Sequence, residues 1–376
     1  GRNGWMVYER KRAREEIYLP NVPAEVKPGD WIQAKLTFPE RGGSVVGEVV
    51  KHFGAVLPAS ADIGMIAAEH NLIEEHPADA EREARSFTLD LSEIEKGIRT
   101  DLRHVPFMTI DGETARDFDD AIHVERDKSG YILWVAIADV SSYVKEGTAL
   151  DKDARSRGTS VYFPERAFHM LPRALSENLC SLRPKEPRLA FTAKIHFNHA
   201  GHPTRTELIE SLIESRRRAT YNEIQREWTE NETNPKWEYR AHFELYRLIR
   251  KNRSTRGSID FDLPEAEVRV DAEGEPVSIE NRDRLDSHRL IEEFMIAANE
   301  AVTEWALERN WPFVYRVHED PSQEALQRFQ NLASNAGIKL RLDKAGTGAQ
   351  LGQVLSEVVT RLEGHPAQTM LNMQLL

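Results

Sequence analysis

Four aspartates crowd a short stretch between two apolar runs. They are Asp111, Asp117, Asp119 and Asp120, and the stretch runs from residue 109 to residue 120. Crowded carboxylates repel one another and raise each other's pKa unless a cation neutralises them. Such a group of hard oxygen ligands suits Mg²⁺ or Mn²⁺, which keep waters and substrate phosphates as their remaining ligands. The stretch therefore predicts a site for one or two divalent ions that acts on a phosphate ester.

The alternative for this stretch is an acidic surface loop that caps a helix. The apolar residues on both sides, 105–110 and 121–122, favour the metal site because they predict buried strands there. If residues 117–120 are extended, Asp117 and Asp119 share one face while Asp120 points the other way. A turn at Gly112 would return Asp111 towards the other three carboxylates.

The composition is that of a soluble globular protein. The chain has 376 residues, of which 40% are hydrophobic and 30% charged. Its length suggests two or three domains. The sequence contains no apolar run long enough for a membrane span and no signal-peptide pattern at its beginning. Cys180 is the only cysteine, which excludes an intramolecular disulfide and leads us to expect a cytoplasmic protein.

The net charge of −12 argues against a protein that coats nucleic acid through overall basicity. It still allows an enzyme that threads nucleic acid through a local basic channel. Basic residues that could line such a phosphate path are Arg216, Arg217, Arg218, Arg247, Arg250, Lys251, Arg253 and Arg256. For most of them an ordinary charged helix face is the simpler interpretation.

Residues 1–85 predict a small β-rich module with a helical connector. Residues 29–36 and 44–50 read as strands, with a turn between them at residues 41–43. Two interpretations of the module have equal weight: a fragment of an OB-type barrel that guides single-stranded nucleic acid, or a solvated β-module with ordinary surface charge. Residues 59–85 read as the connector.

Residues 86–376 predict a larger domain, and the whole pattern predicts a mixed α+β fold. Residues 121–125 and 131–140 predict a β-hairpin with a Gly-containing turn. Asp139 ends its second strand, where a turn or cap is the preferred role over that of orienting a metal ligand. Further strands are predicted at residues 189–197, 205–213, 257–261, 267–270, 277–279 and 315–317. Helices are predicted to start near residue 90 and to span 149–157, 222–253 and 287–308, with a mostly helical remainder.

Seven motifs follow one another in an order that resembles the catalytic domain of the ribonuclease II/ribonuclease R (RNB) family. They are T-I-D-G-E-T-A-R-D-F-D-D-A (109–121), W-V-A-I-A-D-V (134–140), R-G-T-S-V-Y-F-P (157–164), M-L-P (170–172), L-S-E-N-L-C-S-L (175–182), R-G-S (256–258) and E-E-F-M-I-A-A-N (292–299). The resemblance covers about residue 86 to the end of the chain. Residues 25–55 resemble part of the family's second cold-shock module, closer to ribonuclease II than to ribonuclease R.

The resemblance implies an enzyme that processively hydrolyses single-stranded RNA in the 3′→5′ direction, depends on Mg²⁺ (Mn²⁺ being an alternative) and releases nucleoside 5′-monophosphates. It assigns metal binding to the four aspartates, with catalysis resting on Asp117 and Asp119. In a two-metal mechanism one ion activates a water and the other stabilises the leaving 3′-oxygen. The resemblance also implies four RNA-binding residues: Tyr162 at the 3′-end, Phe261 as a clamp on bases further along, and Tyr221 and Glu292 as base contacts.

The sequence also departs from the family pattern. Family members continue through a histidine-containing segment, a Ser-Pro-Ile-Arg motif and an S1 domain. The resemblance therefore implies that this chain lacks the end of the catalytic domain and the S1 domain. Two other hypotheses remain open: a catalytically impaired RNA-binding protein that keeps the RNB fold, and, less favoured, a metal-dependent hydrolase of small phosphates. The second leaves the β-rich module unexplained.

Overall fold

A computed structural model of the chain describes residues 5–8, 16–38, 44–55, 59–164, 166–259, 265–272, 275–317, 319–340, 342 and 348–375. The strands, in chain order, are β1 (Trp5–Tyr8), β2 (Glu16–Leu19), β3 (Trp31–Thr37), β4 (Val45–Gly54), β5 (Thr100–Asp101), β6 (Met108–Asp111), β7 (Asp120–Arg126), β8 (Gly130–Ala138), β9 (Val161–Tyr162), β10 (Ala167–Phe168), β11 (Pro187–Asn198), β12 (Pro203–Glu214), β13 (Arg217–Thr220), β14 (Ala266–Val270) and β15 (Pro276–Asn281). The helices are α1 (Ala59–Glu69), α2 (Ala78–Ser86), α3 (Ser92–Glu95), α4 (Ala149–Arg157), α5 (Tyr221–Asn231), α6 (Arg240–Thr255), α7 (Asp286–Glu308), α8 (Gln323–Asn335), α9 (Ala349–Leu362) and α10 (Gln368–Leu375). None of these helices is both long and apolar enough to cross a lipid bilayer.

The chain forms two compact units, and neither is continuous in sequence. The first takes residues 1–77, 153–170 and 266–280, and the second takes 78–152, 171–265 and 281–376. The sequence-based division into domains at residues 85 and 86 therefore differs from the compact units, and it remains a prediction about sequence modules.

The first unit contains a four-stranded sheet in the order β1-β2-β4-β3, which is open among the residues described. β9 and β10 form a separate hairpin, as do β14 and β15. A small core of Ile63, Ala67 and Phe168 joins α1 to the β9–β10 hairpin. Arg157 connects two segments of this unit. Its side chain donates to the backbone oxygen of Glu75 (2.7 Å) and to Asp153 (3.1 Å).

The second unit is built on a seven-stranded mixed sheet in the order β13-β6-β7-β8-β11-β12-β5. The five central strands are antiparallel, whereas β13 runs parallel to β6 and β5 runs parallel to β12. The β7–β8 turn is fixed by Asp127, whose Oδ1 accepts hydrogen bonds from the backbone N–H groups of Ser129 (2.8 Å) and Gly130 (2.9 Å). This hairpin and the mixed α+β class confirm the sequence-based prediction.

Both faces of the seven-stranded sheet are covered. Alternate strand residues such as Ile122, Val124 and Val135 pack against α5, α6 and α7. The residues between them, such as Ala121 and Ala136, pack against α2 and the segment that leads to β11. A third apolar cluster lies among α8, α9 and α10. The acidic stretch thus joins two central strands of a sheet with a buried surface on each side.

Three sequence-based expectations differ from the structure. The helix predicted over 222–253 is two helices, α5 and α6, separated by residues 232–239, which include Pro235. Residues 315–317 form no strand, and no strand pairs with them in the described part of the chain. Their side chains largely face solvent. Residues 257–259 form no strand either, and the rest of that predicted strand lies outside the described residues.

Candidate active site

The acidic stretch is the connection between β6 and β7. Asp111 is the last residue of β6 and Asp120 is the first residue of β7. The predicted turn follows Asp111, since the N–H of Ala115 donates to the backbone oxygen of Gly112 (3.3 Å). The parallel pairing of β6 with β13 places Thr220 opposite Asp111. The backbone oxygen of Asp119 accepts from Ala138 (2.9 Å), which holds the end of the loop on β8.

The carboxylates of this connection lie close enough to raise one another's pKa. Burial, followed by the charge of Asp120, raises the pKa of Asp111 to about 7. Burial and Asp117 raise the pKa of Asp119 to about 6, and burial and Asp119 raise the pKa of Asp120 to about 6. Asp119 is exposed at the surface, yet the surrounding protein still removes water from its carboxylate. The four aspartates therefore form one electrostatic cluster.

The chemistry of the cluster fits a cation. Asp111 Oδ2 is buried and has no donor in hydrogen-bonding geometry among the residues that the structure describes, although the Thr109 hydroxyl is near enough to lower the pKa of Asp111. A buried carboxylate oxygen without a donor is costly unless a cation or a proton satisfies it. Within the same residues, no group of three or more His, Cys, Asp or Glu side chains is arranged to hold a metal ion by itself. The carboxylates are thus neighbours, and not a complete coordination sphere; Mg²⁺ commonly takes only one or two protein carboxylates together with substrate phosphates and waters.

Arg218 holds the first half of the acidic loop. Its Nη2 donates to the backbone oxygens of Gly112 (2.7 Å) and Glu113 (2.9 Å). Its guanidinium lies 5.6 Å from the centre of the Phe118 ring, and its charge lowers the pKa of Asp111, which partly offsets burial. Arg218 thus lies on a strand and holds the acidic loop, and it is not part of an ordinary charged helix face. The sequence signal for Arg218 is the alternation of side chains along β13. Its neighbour Ala219 packs into the core, so Arg218 points to the opposite face of the strand.

Ser181 holds the second half of the loop, and sequence analysis did not single it out. Its buried Oγ donates to the backbone oxygen of Arg116 (2.8 Å) and accepts from the N–H of Phe118 (3.1 Å). The N–H of Leu182 donates to the backbone oxygen of Phe118 (2.8 Å). Arg188 in turn donates from Nε to the backbone oxygen of Ser181 (3.0 Å). The segment before β11 thus fixes the backbone on both sides of Asp117.

Tyr221 lies beside the aspartates. It is the first residue of α5, and its ring stacks on His288 with 4.0 Å between ring centres. Burial, Asp120 and Asp111 raise the pKa of the Tyr221 hydroxyl to about 12, so the ring is near these two carboxylates. Tyr221 is half-buried, and its contact with RNA remains a prediction.

The other predicted RNA-binding residues have different surroundings. Glu292 on α7 pairs with Arg284 (2.7 Å) and Arg253 (3.5 Å). Tyr162 belongs to β9 in the first unit, is 63% exposed, and has its ring centre 6.3 Å from that of His169. Phe261 lies outside the described residues. The structure thus brings Tyr221 to the aspartate cluster, and the roles of the other three remain predictions.

Asp139 has a structural role that sequence analysis only partly anticipated. Its Oδ2 accepts from Arg99 Nη2 (2.6 Å) and Ser142 Oγ (2.7 Å), and its Oδ1 accepts from Ser141 Oγ (2.7 Å). Both Arg99 and Asp139 are buried. The side chain therefore fixes the turn after β8 through an ion pair, in agreement with the preferred role in a turn.

The stabilisation of the protein by Mg²⁺ should depend on pH. Folding raises the pKa of Asp111 to about 7 and those of Asp119 and Asp120 to about 6. A carboxyl group with a raised pKa favours the folded state while protonated, so its contribution is present below about pH 4 and is lost as the pH rises through about 7. Protons and Mg²⁺ compete for the same oxygens. We expect Mg²⁺ to raise the melting temperature at about pH 8 and to have little effect at about pH 5, with NaCl of equal ionic strength as the control. Equal shifts at both pH values would contradict the cluster as the Mg²⁺ site.

A known protein family matches the part of the chain that contains this site. A family model described as the RNB domain matches residues 99–376, which include the acidic connection and the seven-stranded sheet. The chain belongs to the RNB family. Ribonuclease R of Aquifex aeolicus is 37% identical over 373 residues, which cover 96% of this chain and 52% of that protein. This RNB chain spans about half the length of the curated relatives it matches.

Solved structures show the same RNB fold. Mycoplasma genitalium RNase R in complex with ribose-methylated single-stranded RNA matches with a TM-score of 0.88 and 25% identity, covering 100% of this chain and 61% of that chain. Yeast Ssd1, described as a pseudonuclease, matches with a TM-score of 0.73 and 16% identity, covering 100% of this chain and 47% of that chain. The Aquifex and Mycoplasma relatives are ribonuclease R proteins, whereas the sequence analysis favoured ribonuclease II. The similarity to Ssd1 concerns the fold alone.

Proposed function

We propose that this RNB protein is an exoribonuclease that hydrolyses single-stranded RNA processively in the 3′→5′ direction and releases nucleoside 5′-monophosphates. The observation that carries the proposal is the aspartate cluster between β6 and β7, where Asp111 has a buried oxygen without a donor. The similarity to ribonuclease R, one structure of which contains single-stranded RNA, supports the choice of substrate. A cytoplasmic location, expected from the single cysteine, is part of the same proposal.

The proposed cofactor is Mg²⁺, with Mn²⁺ as the alternative, held by Asp111, Asp117, Asp119 and Asp120. A divalent ion bound there would supply Lewis-acid activation of a water and neutralise charge on the phosphate. The remaining contributions come from the protein. Arg218 favours the ionised form of Asp111, which is the form that binds a cation, and fixes the turn at Gly112. Ser181 keeps the Asp117–Asp119 backbone in place, so that the carboxylates need little rearrangement when substrate binds.

The proposed RNA contacts are stacking and hydrogen bonding that tolerate any base. Tyr162, which is exposed, is proposed to stack on the 3′-terminal base, and Phe261 on bases further along. Tyr221 is proposed to contact RNA next to the aspartates, since it lies near Asp111 and Asp120. Glu292 has two arginine partners, so its proposed base contact requires that it exchange one of them for the RNA.

The second candidate function is that of an RNA-binding protein that keeps the fold without turnover. The similarity to yeast Ssd1 shows that the fold is compatible with a protein described as a pseudonuclease. The fold alone therefore does not distinguish the two candidates, whereas the intact set of four aspartates favours hydrolysis.

The two candidates differ in what they do to end-labelled RNA. Single-stranded RNA labelled at the 5′-end should shorten stepwise with Mg²⁺ and remain intact with EDTA. RNA labelled at the 3′-end should release its label directly as a nucleoside 5′-monophosphate, and excess unlabelled RNA added after binding should not interrupt a processive enzyme. A stable complex with full-length RNA in the presence of Mg²⁺ would favour the binding protein. Shortening from the 5′-end, or internal cleavage, would overturn the proposed direction.

A further inference from the structure

A cavity of about 300 Å³ opens in the second unit beside the C-terminal half of α6. Three arginines line it: Arg250 and Arg253 on α6, and Arg289 on α7. Four hydroxyl groups also line it, from Ser254, Ser258, Ser356 and Thr360. The remaining lining residues are Val359 and Glu363. Guanidinium groups together with hydroxyls are the donors that proteins use for phosphate oxygens.

The arginines of this cavity differ in how closely carboxylates pair with them. Arg253 pairs with the buried Glu293 (2.8 Å). Arg250 donates to the hydroxyl of Tyr246 (2.8 Å). Arg250 and Arg289 both approach the same oxygen of Asp286, at 3.6 and 3.8 Å, which is longer than a hydrogen-bonded ion pair. Arg289 Nε is buried and meets no acceptor within the described part of the chain. The charge of Arg289 is therefore only partly compensated by Asp286.

The wall of the cavity opposite α6 is held in place by a close backbone approach. A Cβ atom at Gly352, in the first half of α9, would lie 2.1 Å from the backbone oxygen of Gly257, and a Cβ at Gly257 would lie 2.6 Å from that of Ala349. Gln353 Nε2 also donates to the backbone oxygen of Thr255 (3.2 Å). Only glycine at both positions allows α9 to approach the end of α6 this closely, and this approach brings Ser356 and Thr360 to the cavity.

We propose that this cavity binds the phosphate group of a nucleotide-sized ligand. The arginines and hydroxyls that line the cavity contact the phosphate oxygens. The volume exceeds that of a phosphate alone, so part of the attached nucleoside is also enclosed. The cavity shares no lining residue with the aspartate cluster, and the proposal does not depend on RNA hydrolysis. The phosphate belongs either to a free nucleoside monophosphate or to an RNA strand, since both present the same oxygens.

Calorimetric titration of the whole chain tests the site, with EDTA present so that hydrolysis cannot occur. The probes are adenosine 5′-monophosphate, inorganic phosphate and a short single-stranded RNA without terminal phosphates. We expect the monophosphate to bind and Arg289→Gln to weaken binding about tenfold, the value of one lost charged hydrogen bond. Glu363→Gln should tighten binding, because a carboxylate in the wall repels the phosphate. Arg247→Gln is the matched control, since Arg247 on α6 faces Trp228 and Glu232 and does not line the cavity.

The variants and probes also separate the sources of the phosphate. Thr360→Val removes one hydroxyl without changing charge, and thermal unfolding shows whether each variant folds. If the RNA without terminal phosphates competes with the monophosphate, the site accepts phosphodiesters; if it does not, the site takes a terminal phosphate. Binding that Arg289→Gln and Thr360→Val leave unchanged, or the absence of binding by all three probes, would overturn the proposal.

Discussion

Replacing Asp119 by asparagine is expected to lower the rate of RNA hydrolysis by roughly 10²–10³-fold, the cost of losing one electrostatic group directed at the transition state. Single-stranded RNA should still bind, because the proposed contacts from Tyr162 and Tyr221 do not involve this carboxylate. Without Mg²⁺ the variant should be at least as stable as the original protein, since the repulsion between Asp119 and its neighbours Asp117 and Asp120 is removed. With Mg²⁺ it should gain less stability than the original protein.

The measurements are single-turnover hydrolysis of labelled RNA, a binding titration and thermal unfolding with and without Mg²⁺. Asp127→Asn is the matched control, because Asp127 lies in the β7–β8 turn and asparagine retains the oxygen that accepts from Ser129 and Gly130. Near-normal turnover by Asp119→Asn would refute the role of Asp119. Loss of RNA binding together with turnover would indicate a misfolded loop rather than lost catalysis.

Replacing Asp139 by alanine is expected to cost about 3 kcal/mol of the free energy of unfolding, because it leaves the buried guanidinium of Arg99 without its buried partner. Glu93 still pairs with Arg99, which keeps the loss at the lower end of the range for broken buried ion pairs. Burial alone would raise the pKa of Asp139, but hydrogen bonds from Ser141, Ser142 and Arg99 outweigh it and hold the pKa below its usual value.

Urea unfolding measures this loss, and Arg103→Ala is the control. Arg103 pairs with Asp101 near the surface, where both side chains remain about 40% exposed. Breaking such an exposed pair costs about 0–1 kcal/mol. Similar losses in the two variants would mean that the buried pair with Asp139 contributes no more than a surface contact. Asp139→Asn should fall between them, because the amide oxygen still accepts hydrogen bonds without carrying the charge.

The sequence predicted those helices and strands whose residues interact mainly with near neighbours in the chain. The β7–β8 hairpin follows from alternating apolar residues around Asp127 and Gly130, and α4 lies at the predicted residues 149–157. The break between α5 and α6 was missed because the charged pattern continues through residues 232–239. Trp237 in that break packs against Trp228 and Phe243, a contact that joins two helices and leaves no periodic signal in either one.

The acidic residues of the candidate site were predictable from their own pattern, and Tyr221 only from the family resemblance. Asp111, Asp117, Asp119 and Asp120 are close in sequence, so their density was visible without the fold. Ser181 and Arg218 act on backbone atoms of residues 112–118 from positions 63 to 106 residues further along the chain. Every residue has a backbone oxygen that can accept a hydrogen bond. A contact from a side chain to such an oxygen therefore leaves no particular residue type in the sequence by which it could be recognised.

The parallel pairing of β13 with β6 has a consequence for synthesis of the chain. The hairpins β7–β8 and β11–β12 can form as soon as their residues are made, and β6 can pair with β7. The other edge of β6 must wait for β13, which is more than a hundred residues further along the chain. Contacts between such distant residues are the slow steps of folding. Asp111 therefore receives Thr220 and Arg218 only after most of the sheet has formed, so an unfinished polypeptide on the ribosome carries the acidic loop without its completed surroundings.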